Sequence, residues 1–91
     1  MFVVVVYDIK DDRRRSRVAK TMEDYGTRVQ YSVFECNMDE KILDNMNNTL
    51  ASVIDDTNDK IRGYRLCKNC LNSVQLLGSG DITEDENVYI V

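Results

Sequence analysis

The residue best suited to chemistry is an aspartate at the end of the most apolar stretch of the chain. Phe2 to Tyr7 are all β-branched or aromatic, and Asp8 follows them directly. Such a run predicts a central strand covered on both faces. Open sheets commonly build their sites at the carboxyl ends of buried strands. Asp8 is therefore the candidate catalytic residue and the candidate ligand of a hard cation.

One carboxylate holds Mg²⁺ poorly, because this ion prefers octahedral coordination by oxygen. If a two-fold axis passed near Asp8, two copies of the chain would offer two carboxylates to one ion, together with water and a substrate phosphate. The predicted cofactor is Mg²⁺, with Mn²⁺ as the other candidate. The competing interpretation of Asp8 is an Asx-turn that bonds the backbone at Lys10.

A cluster of arginines follows Asp8 at the start of a predicted helix. Guanidinium groups bind phosphate through paired hydrogen bonds, and an arginine in the first turn of a helix opposes the helix dipole unless an anion is bound. At about 100° per residue, Arg14 and Arg15 flank the apolar stripe near the end of the strand. By the same helical spacing, Arg13 and Arg17 point to water. The cluster predicts phosphate binding, with a solvated helix face as the alternative.

The chain contains no histidine. This excludes zinc hydrolases with imidazole ligands, Ser-His-Asp triads and nucleases that use imidazole as acid or base. Any hydrolysis would therefore use a metal-bound hydroxide at Asp8, with Tyr and Ser hydroxyls in support.

The cysteines comprise Cys36 and one Cys-x-x-Cys pair, Cys67 and Cys70. A structural zinc site needs four ligands, so this pair would need Cys36 or a second subunit to complete it. A redox role needs a strand that leads into a helix, as in thioredoxin, and the sequence pattern does not indicate one. We expect structural cysteines, buried or half-buried.

The elements that position these residues follow from caps and apolar periodicity. Asp11 or Asp12 caps the first helix, and Gly26 would end it in the left-handed conformation. Residues 27–36 favour two short strands that divide near residues 31–32. Asp39 caps a second helix over residues 40–54, and residues 61–66 form a strand in which Gly63 indicates a bulge or a close backbone approach.

Residues 67–71 form a short turn or one helical turn. Residues 74–77 form a further strand, and residues 88–91 form a terminal strand after an acidic connector. The order matches an α+β, ferredoxin-like βαββαβ sandwich with an extra C-terminal strand. We assign residues 1–78 to this domain and residues 79–91 to the connector and the last strand. That strand has little core left to join within its own subunit, which predicts packing on a partner and a homodimer.

Charge is distributed unevenly along the 91 residues. The net charge is -4, but residues 1–30 carry seven Lys/Arg against five Asp/Glu, net +2, and residues 31–91 carry five against eleven, net -6. The total argues against a protein that coats nucleic acid generally, whereas the local excess suits phosphate. No apolar run reaches the roughly 20 residues that span a bilayer, and no export signal is evident, so we predict a cytoplasmic protein with no membrane contact.

Several segments together resemble the CRISPR-associated protein two family, a group of small proteins encoded beside the integrase of bacterial adaptive immunity. They are VVVYDI at residues 4–9, a D-D-x-R-R-x-x-V-A-K-like segment at residues 11–20, Tyr25-Gly26, RVQYSVFEC at residues 28–36, and L-C-x-x-C-L at residues 66–71. The likeness extends over nearly the whole chain. The combination is specific, although no single segment is.

The resemblance implies a ferredoxin-like homodimer in which Asp8 is the metal-binding aspartate and faces its two-fold mate. Arg15, Arg17, Arg28 and Phe34 match positions implicated in nucleic-acid contact or nuclease activity, and Ser32 lies beside them. From the residues alone, Phe34 reads more simply as a core residue. Members of the family are described as metal-dependent endonucleases on RNA or double-stranded DNA, and as scaffolds that bridge integrase dimers during spacer acquisition.

Three functional hypotheses follow. The first is an Mg²⁺-dependent phosphodiesterase of the CRISPR system, with Asp8 as metal ligand and with Arg14, Arg15, Arg17, Arg28, Ser32 and Phe34 at the nucleic acid. The second is a non-catalytic scaffold that grips DNA through its basic edge and docks the CRISPR-associated integrase through its acidic C-terminal half. The third is an interaction module without affinity for nucleic acid. Fold alone does not choose among them.

Overall fold

β1 (Phe2–Asp8) is the central strand of a four-stranded sheet in the computed structural model, which describes residues 1–80. It pairs with β3 (Val33–Asn37) on one side and β4 (Lys60–Leu66) on the other, and β2 (Thr27–Gln30) lies outside β3. Every pairing is antiparallel, so the strand order is β2-β3-β1-β4. The predicted ferredoxin-like arrangement is confirmed.

Two helices connect these strands and begin where the sequence predicts. In α1 (Asp12–Met22) the side chain of Asp11 accepts a hydrogen bond from the Arg14 amide at 2.9 Å. In α2 (Glu40–Val53) the side chain of Asp39 accepts one from the Ile42 amide at 2.8 Å. Each carboxylate satisfies an amide that the first turn of its helix leaves unpaired.

The side chains of β1 alternate between two environments. Val3, Val5 and Tyr7 are 1–3% exposed and belong to one core with the apolar stripes of α1 and α2. Val4 and Val6 point to the opposite face and are half-buried, while Asp8 on that face is exposed. Phe2 shares this face and is 4% exposed. The expectation that both faces of β1 are covered therefore holds at the beginning of the strand and is wrong towards its end, for the single chain over residues 1–80. We call the face that carries Val4, Val6 and Asp8 the open face.

Two glycines differ from the roles that the sequence suggested. Gly26 does not take a positive φ, but a Cβ there would lie 2.5 Å from both the Cys36 Sγ and the Glu35 carbonyl oxygen. Gly63 pairs with Val5 in regular register, and a Cβ there would meet only a Val3 methyl group at 3.7 Å. The close backbone approach is thus at Gly26, and β4 has no bulge at Gly63.

Beyond β4 the chain forms α3 (Lys68–Asn72), which confirms the helical turn predicted there. The strand predicted at residues 74–77 is absent: Val74, Leu76 and Leu77 are exposed and pair with no strand in the part of the chain that the structure describes. The terminal strand at residues 88–91 lies outside the described residues, as does nearly all of the predicted segment 79–91. No helix between residues 1 and 80 is long and apolar enough to cross a bilayer.

Candidate metal and nucleic-acid site

Asp8 is an exposed carboxylate at the edge of the open face. Its backbone pairs with Lys60 across the β1–β4 ladder. Within residues 1–80 the side chain makes no hydrogen bond or ion pair, and in particular it does not bond the backbone at Lys10. The Asx-turn interpretation is therefore wrong. A carboxylate without a structural partner remains available to an external ligand.

Arg15 fixes the loop that follows Asp8. Its Nη1 donates to the carbonyl oxygens of Ile9 at 3.0 Å and Lys10 at 3.2 Å, and its Nη2 donates to Asp12. The Asp12 hydrogen bond raises the pKa of Arg15 above its usual value. A side-chain hydrogen bond to Tyr31 raises this pKa further. These contacts join Arg15 to the loop that follows Asp8, to the first turn of α1 and to the turn between β2 and β3.

The turn between β2 and β3 is joined to the same end of β1. The Tyr7 amide donates to the Ser32 carbonyl oxygen at 3.1 Å, and the Tyr7 hydroxyl donates to the Tyr31 carbonyl oxygen at 3.3 Å. Arg28 donates to that Tyr31 oxygen from Nε at 3.0 Å and from Nη2 at 2.6 Å. Burial raises the pKa of Tyr7, so its hydroxyl remains a donor at neutral pH. Arg28 and Ser32 therefore lie beside the strand end that carries Asp8.

Tyr31 is a site residue that sequence reasoning missed. Tyr31 is 69% exposed. The centroid of its ring lies 5.3 Å from the Arg28 Cζ and 5.9 Å from the Arg15 Cζ. Guanidinium groups at these distances interact favourably with the π face of the ring. The available signal was a large aromatic residue at the predicted break between two strands. We call Arg15, Arg28, Tyr31 and Ser32 the basic edge.

Phe34 does not reach this surface. The residue is 0% exposed and stacks on Tyr7 with ring centroids 6.3 Å apart. Arg28 lies over its ring, with Cζ 5.7 Å from the centroid. The assignment of Phe34 to nucleic-acid contact is therefore corrected. Phe34 belongs to the core, because inward-facing residues of β3 pack against the helices, and its contact with Arg28 is through the face of the ring.

Arg14 is committed to an ion pair inside the protein. Its Nε lies 2.7 Å from the Asp59 Oδ2 and its Nη2 lies 3.3 Å from Oδ1, a two-point contact. The Asp59 side chain is 0% exposed and also accepts the Asp55 amide at 2.8 Å. The Arg14 hydrogen bond holds the pKa of Asp59 below its ordinary value. Arg14 thus has a structural role, and we do not include it in the basic edge.

Arg17 lies on the outer face of α1, as the helical spacing predicts. It is exposed, and it makes no hydrogen bond or ion pair with any residue between 1 and 80. Arg13 is likewise exposed and makes no hydrogen bond or ion pair with any of these residues. The two guanidinium groups are free to meet an anion, but no contact fixes their direction.

The donor set for a metal ion is incomplete in one chain. Carboxylate oxygen at Asp8 is the ligand type that Mg²⁺ and Mn²⁺ prefer. Residues 1–80 nevertheless contain no group of three or more acidic or cysteine side chains that could hold an ion. The Asp8 carboxylate is therefore the right type of ligand for such an ion. The remaining ligands must come from outside the chain.

Comparison with known proteins gives consistent results. The profile of the family described as CRISPR associated protein Cas2 matches residues 1–74. The chain is 43% identical over 91 residues to CRISPR-associated endoribonuclease Cas2 3 of Chloroflexus aurantiacus. This match covers 100% of the chain and 98% of that protein.

Two solved structures show the same fold. Cas2 of Streptococcus pyogenes superposes with a TM-score of 0.75 and 40% identity, and the match covers 86% of this chain and 100% of that one. A chain in a partial Cas6-RT-Cas1–Cas2 complex superposes with a TM-score of 0.64 and 26% identity, and covers 84% and 89% of the two chains.

Proposed function

The chain belongs to the CRISPR-associated protein Cas2 family, and on that premise we propose that it is a metal-dependent endonuclease that acts on RNA or double-stranded DNA as a homodimer. The observation that carries the proposal is the unpartnered Asp8 carboxylate at the edge of the open face, next to the basic edge. The name of the Chloroflexus relative, an endoribonuclease, supports the reaction class.

The homodimer is inferred from the open face. Val4 and Val6 lie on a sheet face outside the core that α1 and α2 share with β1, and both are only half-buried. Burying apolar surface stabilises by about 25 cal/mol per Å², so a second sheet placed there would be favoured. Asp8 has the same parity along β1 as the two valines, so a symmetric partner on this face brings two Asp8 carboxylates together if the two-fold axis passes near the end of β1.

Asp8 and the Asp8 of a second copy would then hold the ion that one chain cannot. Such an ion, Mg²⁺ or Mn²⁺, supplies a Lewis acid for a phosphodiester and lowers the pKa of bound water. The protein contributes the rest. Asp8 provides negative charge at the end of β1, and Arg15 stabilises the adjoining loop by donating to its carbonyl oxygens.

The basic edge orients the nucleic acid. Arg15 and Arg28 present positive charge at the same end of β1 as Asp8, and the exposed Tyr31 ring offers a surface on which a base can stack. Ser32 adds a hydroxyl at the same turn, and Arg17 adds a further cation from the outer face of α1. Because most of this affinity comes from phosphate charge, binding should weaken as salt concentration rises.

A second function is favoured by the incompleteness of the metal site. A chain that offers one carboxylate could also act without catalysis, as a scaffold that holds duplex DNA on the basic edge. The match to a chain in a Cas6-RT-Cas1–Cas2 complex supports a CRISPR-associated integrase as partner. In that role the acidic second half of the chain, net -6 over residues 31–91, would dock the integrase. The two functions are compatible.

The experiment that tests the proposal compares Asp8→Asn with the wild-type protein and with Asp24→Asn, an exposed acid outside the site. Cleavage of end-labelled RNA and duplex DNA is measured with Mg²⁺, with Mn²⁺ and with EDTA, alongside binding in EDTA. We expect Asp8→Asn to lose metal-dependent cleavage while retaining binding, and Asp24→Asn to retain both. Metal-dependent cleavage that survives Asp8→Asn overturns the role of Asp8 as metal ligand, and a wild-type protein that cleaves neither substrate with Mg²⁺ or Mn²⁺ overturns the nuclease assignment. Spacer acquisition in cells that survives Asp8→Asn favours the scaffold.

A further inference from the structure

Cys67 and Cys70 lie where a strand leads directly into a helix. β4 ends at Leu66, Cys67 is the N-cap of α3, and Cys70 follows within that helix. Both residues are exposed, whereas Cys36 is buried in the core. The expectations that Cys67 and Cys70 are buried or half-buried and that a strand–helix context is missing are both wrong. Two accessible thiols share one turn of the backbone.

The two side chains are in contact. The Cys70 amide donates to the Cys67 Sγ at 3.4 Å, and the Cys70 thiol also hydrogen-bonds to Cys67. Side chains three apart on a helix have Cβ atoms about 5–6 Å apart, and a disulfide needs about 3.8 Å. A small rotation at the cap residue, which is outside the helix and exposed, would close this gap.

The contact shifts the pKa values of the two thiols in opposite directions. Hydrogen bonds from the Cys70 amide and the Cys70 thiol lower the pKa of Cys67. Donation to Cys67 in turn raises the pKa of Cys70. These local bonds suffice, since a helix of five residues has no substantial dipole. Burial raises the pKa of Cys36 to about 11, so that thiol is unreactive by comparison.

We propose that Cys67 and Cys70 form a redox-active dithiol that exchanges with low-molecular-weight disulfides and closes to an intramolecular disulfide. In the first step the Cys67 thiolate attacks one sulfur of the disulfide, forms a mixed disulfide and releases one thiolate. In the second, Cys70 loses its proton to solvent, attacks the Cys67 sulfur and releases the second thiolate, which solvent protonates. Two protein thiols are oxidised and one external disulfide is reduced to two thiols.

The test uses the full chain and oxidised glutathione at a series of ratios to reduced glutathione. Trypsin cleaves after Arg65 and Lys68, which places Cys67 in peptide 66–68, Cys70 in peptide 69–91 and Cys36 in peptide 29–41. We expect reversible loss of two hydrogens from the intact protein and a cross-link between the first two peptides. A protein that retains three free thiols at the most oxidising ratio, or a cross-link to the Cys36 peptide, overturns the proposal.

Single cysteine substitutions test the order in which Cys67 and Cys70 react. Cys36→Ser should form the disulfide as the wild type does, and Cys70→Ser should stop at a mixed disulfide on Cys67. Limiting iodoacetamide at neutral pH should modify Cys67 faster than Cys70 in the wild type. Equal rates, or zinc bound by the thiols of two chains with no reaction towards oxidised glutathione, contradict the proposal.

Discussion

Arg14 and Asp59 join the beginning of α1 to the beginning of β4, with Arg14 Nε 2.7 Å from a carboxylate whose side chain is fully buried. The same carboxylate accepts the Asp55 amide and so closes the turn after α2. A charge removed from water is stable only when it is paired and hydrogen-bonded. Asp59 meets that requirement through Arg14.

We predict that Arg14→Met destabilises the fold more than Arg13→Met does. The first substitution leaves Asp59 buried without its cation, whereas Arg13 has no partner within residues 1–80 and its loss removes only a solvated charge. Urea unfolding of the two variants at neutral pH measures the difference. Equal unfolding midpoints would show that the ion pair contributes nothing net.

The effect of Arg14→Met should also depend on pH. The Arg14 hydrogen bond lowers the pKa of Asp59 below 3.8, so the folded protein binds this proton less readily than the unfolded chain does. The stabilisation is therefore present above the unfolded pKa and is lost as pH falls through the folded pKa. The stability gap between wild type and variant should be full at about pH 6 and narrow below about pH 4. A gap that widens on acidification contradicts this account.

Tyr31→Ala and Phe34→Ala should separate binding from stability. The Tyr31 residue is exposed, and Arg28 donates to its main-chain carbonyl oxygen, which alanine retains. The substitution removes the ring and its side-chain hydrogen bond to Arg15. We expect Tyr31→Ala to weaken binding of single-stranded RNA by about 1–3 kcal/mol at low salt. It should leave the unfolding midpoint nearly unchanged.

Phe34→Ala, by contrast, should cost about 3–5 kcal/mol of folding free energy, because it removes a fully buried ring. Any loss of binding should parallel the unfolded fraction measured by circular dichroism under the same conditions. A folded Phe34→Ala protein that binds nucleic acid poorly would instead support direct contact by this residue.

The two glycines form a matched pair for a third comparison. Gly26→Ala places a methyl group against a backbone oxygen and the Cys36 sulfur, both at 2.5 Å, so we expect a loss of about 1–3 kcal/mol. Gly63→Ala meets an ordinary contact at 3.7 Å in an extended strand, so it should be neutral or stabilise by about 0.4–1 kcal/mol. Thermal unfolding of both variants measures these changes in stability. The reverse order would contradict the packing described for β2, β3 and β4.

Local signals explain what the sequence predicted well. The N-caps Asp11 and Asp39 and the apolar stripes of α1 and α2 act within one or two turns, so spacing alone locates them. The end of β1 at Asp8 is visible because an apolar run changes abruptly to charge. Predictions failed where the decisive partner is remote.

Asp59 lies 45 residues after Arg14, and no local pattern connects them. Gly26 is required by the position of β3, and Gly63 is not required by anything that β1 presents. Tyr31 gains its role from Arg15 and Arg28, which approach it from a helix and a neighbouring strand. Each of these relationships depends on how the sheet and the helices pack, which short-range periodicity does not encode.

The most direct test is a crystal structure of the protein grown with Mn²⁺, located by its anomalous scattering. The account predicts a symmetric dimer across the open face, with Val4 and Val6 buried at its centre. One ion should lie between the two Asp8 carboxylates, within about 2.5 Å of an oxygen from each. A monomer, or a dimer that holds the two Asp8 side chains on opposite sides, would contradict it.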